Sequence, residues 1–337
     1  MKAVGYRKNL PVTSDEALLD LDLATPTPGP RDLLVRVKAV SVNPVDVKLR
    51  AQAAPPPGTA RILGFDAAGV VETVGAEATL FRPGDAVFYA GSIARPGTNA
   101  ELHLVDERIV GHKPKTLSFA QAAALPLTGI TAWELLFDRL GIRPGKPPDA
   151  GRLLIIGGAG GVGSMLIQLA RRLTGLTVIA TASRPETAAW CIALGAHHVI
   201  DHHKSLSEEL KQIDQSQVGY VASLTNTERH FPAIVEILKP QGRLGVIDDP
   251  ATLDINPLKR KSISVHWELM FTRSLFETED MIGQHRLLDE ISGLVDAGLI
   301  RTTLSDNLGR IDAANLRRAH ALIESGKARG KIVLEGF

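Results

Sequence analysis

Along the first third of the chain, apolar and polar residues alternate with the period of half-buried strands. Leu33-Leu34-Val35-Arg36-Val37-Lys38-Ala39-Val40 follows that alternation. Gly69-Val70-Val71-Glu72-Thr73-Val74-Gly75 is a second short β-branched run, closed by glycines. Turn residues punctuate the region densely at Pro26, Pro28-Gly29-Pro30, Pro55-Pro56-Pro57-Gly58 and Pro83-Gly84-Asp85, which predicts a compact β-rich domain to about Leu125. Helical texture begins at Ser118, which with Gln121 has capping-box spacing. Pro126 is expected to end or kink that helix, and a second helix is expected from Thr128 to Leu140, closed by Gly141. A loop, Pro144 to Pro148, follows.

The middle of the chain changes rhythm. Strands are predicted at Leu153–Ile156, Thr177–Thr181, His198–Ile200, Val218–Ala222 and Arg243–Ile247. Helices are predicted between them, at Val162–Leu173, at Glu186–Leu194 and in a segment ending near Leu238. Such alternation predicts an α/β domain, a parallel sheet covered by helices. The pattern changes again after Lys261, and Gly330–Leu334 reads as a final strand.

The strongest chemical signal lies in the turn after the first of these middle strands. Leu153 to Gly163 reads LLIIGGAGGVG, in which Gly158, Gly160 and Gly163 have the dinucleotide-binding spacing. The glycines permit a tight turn and let the backbone N–H groups of Gly160, Gly161 and Val162 approach a diphosphate at the positive end of a helix. A carboxylate about 20 residues on would select a cofactor without the 2′-phosphate. None ends the strand Thr177–Thr181; Ser183 and Arg184 stand there instead, a hydroxyl donor and a partner for a phosphate dianion. The expected cofactor is NADPH. Glu186, beyond Pro185, is expected to face the following helix.

Composition narrows the class. Lys plus Arg is 38 and Asp plus Glu is 37, so there is no basic excess for a nucleic-acid or anionic-membrane partner. The 18-residue uncharged stretch Leu153 to Ala170 is interrupted by five central glycines and reads as strand and helix, not as a membrane span. The start, MKAVGYRKNL, lacks the apolar segment of a signal peptide. A single cysteine, Cys191, excludes an internal disulfide and a multi-cysteine zinc site, and a reducing, cytoplasmic location is expected. His197, His198, His202 and His203 cluster around a predicted strand, where neighbours face opposite ways, so no metal site is expected there.

At its full length the chain resembles the medium-chain dehydrogenase/reductase superfamily, in its quinone oxidoreductase branch, and within it the zinc-type alcohol dehydrogenase-like proteins. The resemblance rests on Ser41-Val42-Asn43-Pro44-Val45-Asp46, Gly64-Phe65-Asp66-Ala67-Ala68-Gly69, Asn99-Ala100-Glu101, Leu125-Pro126-Leu127-Thr128-Gly129, the glycine turn and Leu269-Met270-Phe271-Thr272-Arg273-Ser274. It implies a Rossmann doubly wound domain at residues 126–265 inside a GroES-like catalytic domain formed by residues 1–125 and 266–337, with a cleft between them and commonly a homodimer. Zinc alcohol dehydrogenases carry a cysteine ligand where this chain has Asn43, and Gly-His-Glu where it has Gly64-Phe65-Asp66. Neither Asn nor Phe suits a catalytic zinc, so no metal is expected and Phe65 reads as an apolar wall.

By position, the resemblance implies that Asn43 and Thr128 line the nicotinamide end and that Ile247, Phe271 and Thr272 complete the cofactor pocket. It places His202 beside the ribose phosphate, where relatives often carry a tyrosine, with a plain surface histidine as the other reading. Asp46 and Lys48 are candidates for a polar pair, with Asp66 to orient one of them. Tyr89 is a candidate oxyanion donor or a structural tyrosine, and Lys331 either a phosphate contact or a solvated lysine. The activity expected is zinc-independent, NADPH-dependent reduction of a small electrophile, a quinone or an α,β-unsaturated carbonyl. An enoyl-thioester reductase and an NADPH-binding sensor with little turnover are the alternatives.

Overall fold

A computed structural model describes residues 1–147 and 150–337. Pro148, the last residue of the expected loop, lies outside the described residues. The chain divides into two compact units, one formed by Met1–Ile130 with Phe271–Phe337 and the other by Thr131–Met270. The sequence boundaries, after Leu125 and Val265, fall earlier than these. The reason at the first boundary is local: the Leu127 N–H is bonded to Asp66 (2.8 Å), which holds the start of its helix to the first unit.

The first unit is built on a long strand, Asp32–Val42, which pairs antiparallel with Ala67–Val74, with Leu102–Asp106 and with the C-terminal strand Lys331–Glu335. In the last pairing Ile332 lies opposite Val42 and Val333 opposite Ser41, so the chain's end closes the domain begun by its start. Val35, Val37, Ala39 and Val40 are buried along this strand, while Arg36 and Lys38 are exposed, as the alternation requires. The capping box at Ser118 forms as expected, with Ser118 N–H on Gln121 (3.0 Å) and Gln121 N–H on the Ser118 hydroxyl (3.2 Å). Of the two outcomes expected at Pro126 the structure has an end and not a kink: the first helix stops at Ala123, and Pro126–Trp133 begins the next. A proline costs nothing in a first helical turn, where its missing N–H would have no partner.

The second unit contains a parallel sheet of six strands among the described residues. Their order across the sheet is His198–Ile200, Thr177–Thr181, Arg152–Ile156, Val218–Ser223, Leu238–Val246 and Ser264–Trp267. In chain order that is 3-2-1-4-5-6, the doubly wound arrangement with its switch point beside the first strand. Leu154, Ile156, Ile179, Val221, Leu244 and Val246 pack with Leu210, Phe231 and Ile234 in a continuous core. The helix Gly161–Leu173 is buried at Met165, Leu166, Ile167, Leu169 and Ala170, wider than a one-sided stripe, as a helix wedged under a sheet must be. No helix among the described residues is long and apolar enough to cross a membrane.

Candidate active site

In the first unit the sheet pairing brings together three residues far apart in sequence. Asn43 follows the end of the long strand, Asp66 precedes its neighbour, and Lys331 opens the C-terminal strand. All three are buried. The Lys331 ammonium donates to the Val42 carbonyl (3.0 Å), to Asn43 Oδ1 and to Asp66 Oδ2 (3.0 Å). Asn43 Nδ2 donates to the same Asp66 oxygen (2.7 Å), as does the Ser41 hydroxyl (2.8 Å). The other Asp66 oxygen accepts the Leu127 N–H (2.8 Å). Lys331 is therefore neither solvated nor a phosphate contact: its three ammonium protons all have acceptors inside the domain.

Asp46 is also buried, and its carboxylate accepts the N–H groups of Asn43 and Gly64 (2.8 Å each). Burial pushes its carboxyl up to about 7, against the pull of those two bonds. It braces Asn43 at the start of the helix Pro44–Gln52, on which Lys48 lies exposed, and both Asp46 oxygens accept backbone N–H groups. Thr128 is buried on the helix Pro126–Trp133 and donates to the Leu125 carbonyl (3.3 Å). Phe65 meets Phe271 edge to face, with centroids 5.3 Å apart, which makes the apolar wall; Thr272 opens the short helix that follows. Tyr89 is elsewhere. It is fully buried, stacked on His103 and bonded through its hydroxyl to His103 Nδ1 (3.1 Å), while burial raises its own pKa and lowers that of His103 to about 4.

In the second unit the glycine turn sorts its glycines by task. A Cβ on Gly158 would meet Ala180 at 2.7 Å and the Cys191 sulfur at 3.2 Å, and one on Gly163 would meet the Gly157 carbonyl at 2.5 Å. Those two glycines are required by packing. A Cβ on Gly160 would meet nothing nearer than the Gly157 carbonyl at 3.6 Å, so no protein atom demands a glycine there. Gly160 stands at the N-terminus of Gly161–Leu173, which has no side-chain cap. A cradle that a Cβ would fill, at an uncapped helix start, fits a diphosphate. Gly161 and Val162 form the first helical turn, half-buried.

No carboxylate stands at the end of Thr177–Thr181. Ser183 follows it half-buried, and Arg184 caps the next helix with its guanidinium 3.2 Å from Glu186, which faces Arg184 and not the helix it was expected to face. His202 reaches back to the Thr181 hydroxyl (3.2 Å), which also accepts the Gly157 N–H (3.1 Å). Burial and His203 lower the His202 pKa. His197 accepts the Val178 N–H (2.9 Å). Ile247 follows the fifth strand, half-buried, its N–H on the Ser223 carbonyl (3.3 Å).

Sequence reasoning missed Glu134, Arg139 and Glu268, which meet in the second unit. Arg139 Nε donates to Glu268 (2.8 Å) and its Nη2 lies 3.9 Å from Glu134. The signal was present: Glu134 is the one charged residue in the run from Ala122 to Phe137.

Residues 29–128 match the alcohol dehydrogenase GroES-like domain family and residues 194–334 the zinc-binding dehydrogenase family. A zinc-type alcohol dehydrogenase-like protein of Staphylococcus aureus is 40% identical over 336 residues, 99% of each chain. A crystal structure from Rhizobium etli CFN 42, assigned as a zinc-dependent alcohol dehydrogenase protein, is 59% identical with a TM-score of 0.96, covering 100% of this chain and 98% of that one. Escherichia coli quinone oxidoreductase complexed with NADPH is 25% identical with a TM-score of 0.84, covering 99% and 100%. The chain is an oxidoreductase of the medium-chain dehydrogenase/reductase superfamily, in the quinone oxidoreductase branch that includes the zinc-type alcohol dehydrogenase-like proteins.

Proposed function

We propose that this protein is a zinc-independent, NADPH-dependent reductase of quinones or other α,β-unsaturated carbonyl compounds. The observation that carries the proposal is the closed network of Asn43, Asp66 and Lys331. By the resemblance, Asn43 stands where zinc alcohol dehydrogenases carry a ligand cysteine and Asp66 where they carry the glutamate of Gly-His-Glu, yet here the two are engaged with each other and with a buried ammonium. A resident cation is a poor neighbour for a divalent metal, and without a Lewis acid alcohol oxidation loses the means of lowering the alcohol pKa. An acceptor already polarised by conjugation needs less help.

When bound, the nicotinamide supplies a hydride from C4. In this reading the glycine turn at Gly158–Gly163 holds the diphosphate, and Ser183, Arg184 and His202 receive the 2′-phosphate. In the first unit Asn43, Thr128, Phe271 and Thr272 are assigned to the nicotinamide end, and in the second unit Ile247 is assigned to the cofactor. Phe65 supplies an apolar surface that excludes water from the acceptor. The hydroquinone or enolate product takes its proton from solvent, since Tyr89 and Asp46 are committed to other partners. We further propose a homodimer: Ser264–Trp267 is an edge strand with Trp267 and the following Leu269 both about half exposed, a surface that invites pairing. A cytoplasmic location accords with the single, buried Cys191.

The test is NADPH and NADH oxidation with 9,10-phenanthrenequinone, a crotonyl thioester and an alkenal in parallel. The proposal expects turnover with the quinone or alkenal and a preference for NADPH. Turnover confined to the thioester would replace it with an enoyl reductase, and cofactor binding without any turnover would replace it with a sensor.

A further inference from the structure

The helix that begins at Pro126 changes its winding after Trp133. Glu134–Arg139 is π-helical, and the Leu140 N–H reaches back five residues to the Leu135 carbonyl (2.9 Å). Such turns are rare and persist where something specific holds them. Five residues make about 1.4 turns of an α-helix, which would point Glu134 and Arg139 apart. The wider winding brings them to one side, where both meet Glu268.

Glu268 is the first residue past the last parallel strand, Ser264–Trp267, and its N–H is bonded to the Val246 carbonyl (2.9 Å). Arg139 Nε donates to its Oε2 (2.8 Å), while its Oε1 is buried with no hydrogen-bond partner among the described residues. The Glu134 and Glu268 side chains have no exposed surface. Two buried carboxylates thus face one guanidinium. The other charged and titratable groups nearby have the following contacts. Arg243 donates to the Leu140 carbonyl (2.6 Å), Asp138 is exposed, and burial, Arg243 and Arg139 lower the His266 pKa. A second negative charge in this place is strongly disfavoured, and a shared proton removes it.

We infer that Glu134 and Glu268 share a single proton at neutral pH, and that this protonated pair, clamped by Arg139, holds the π-helical turn against the end of the last parallel strand. Burial and the adjacent Glu134 both raise the Glu268 pKa, in accord with the charge count. The two glutamates act as positioning residues. They fix where Leu269 and Met270 leave the strand, and the arrangement stands independently of which acceptor or cofactor the protein uses.

The experiment is infrared spectroscopy of the full-length protein at pH 7.5, where ordinary carboxyl groups are ionised. Beside the residual band of Asp46, whose carboxyl is pushed up to about 7, the wild type is expected to show the carbonyl band of one further protonated carboxylic acid per chain, which disappears only as the pH is raised into the alkaline range. Glu268→Gln, whose amide can still donate to Glu134, is expected to fold and to lack the band, and Glu134→Gln to do the same. Absence of the band from the wild type, or its survival undiminished in both variants, overturns the shared proton. Should either variant fail to fold, the other and the wild-type titration still decide. Hydrogen exchange at the Leu140 amide tests the clamp. Glu268→Ala is expected to accelerate exchange at least tenfold while Glu268→Gln stays near wild type; unchanged exchange in Glu268→Ala overturns the positioning role.

Discussion

Removing the Lys331 ammonium tests the buried network of the first unit most severely. In Lys331→Met the apolar replacement fills much of the same space, but Asp66 keeps only the Ser41 hydroxyl, the Asn43 amide and the Leu127 N–H, and no positive charge. The Val42 carbonyl and Asn43 Oδ1 lose a donor as well. Breaking a buried ion pair from one side costs about 3–5 kcal/mol. At about 1.4 kcal/mol per decade, that predicts exchange rates two to four orders of magnitude faster for amides that open with this sheet. Hydrogen-exchange mass spectrometry is the right assay because Trp133, Trp190 and Trp267 all lie in the second unit, so tryptophan fluorescence would report on the wrong half. Peptides covering Asp32–Val42 and Lys331–Glu335 should accelerate, with Arg152–Ile156 as the internal control. The double variant Lys331→Met/Asp66→Asn, which removes both charges, should recover most of the loss. Exchange of the two paired strands within threefold of wild type in Lys331→Met would refute the reasoning.

Other predictions follow from single contacts. Gly160→Ala should fold with little change in melting temperature, since a Cβ there has room, yet weaken NADPH binding at least tenfold by calorimetry. Gly163→Ala forces a Cβ to within 2.5 Å of the Gly157 carbonyl and should instead destabilise the second unit by about 1–3 kcal/mol, read by chemical denaturation. Glu186→Gln releases Arg184 from its 3.2 Å ion pair and should raise the ratio of NADPH to NADH affinity several-fold; an unchanged ratio would remove Arg184 from the phosphate site. His112 is held above its ordinary pKa by its hydrogen bond to Asp289. Its contribution is full below the unfolded histidine pKa and lost as pH rises through the folded one. His112→Gln should therefore lower stability at pH 6 more than at pH 8.5, by at most about 1 kcal/mol for so exposed a pair, measured by denaturant midpoints at both.

What the sequence made legible was whatever depends on near neighbours. The glycine turn, the alternation of the long strand and the capping box at Ser118 are each fixed by residues within about one turn or one strand, so spacing reveals them. The alternation of strand and helix carried the parallel sheet for the same reason. Lys331 was misread because its partners are set by the pairing of Val333 with Ser41 and Ile332 with Val42, strands nearly a chain length apart. A lysine after a glycine looks the same whether the strand it opens is an edge or the centre of a sheet. The π-helical turn was invisible for a different reason. Thr128 to Leu140 has a helical pattern under either winding, and only the meeting with Glu268 from a later strand selects one. Tyr89 at its strand end has two readings, oxyanion donor or structural tyrosine, and only the bond to His103, from the strand Leu102–Asp106, selects the structural one.

The central claim, hydride transfer from NADPH to a conjugated carbonyl without a metal, is tested most directly by isotope transfer. The protein, dialysed against a chelator, is given an alkenal with NADPH deuterated on one or the other face of C4, and the product is examined by mass spectrometry. The account predicts one carbon-bound deuterium in the reduced product from one of the two cofactors, at a rate the chelator leaves unchanged. No deuterium from either, or transfer that returns only when zinc is added, would contradict it.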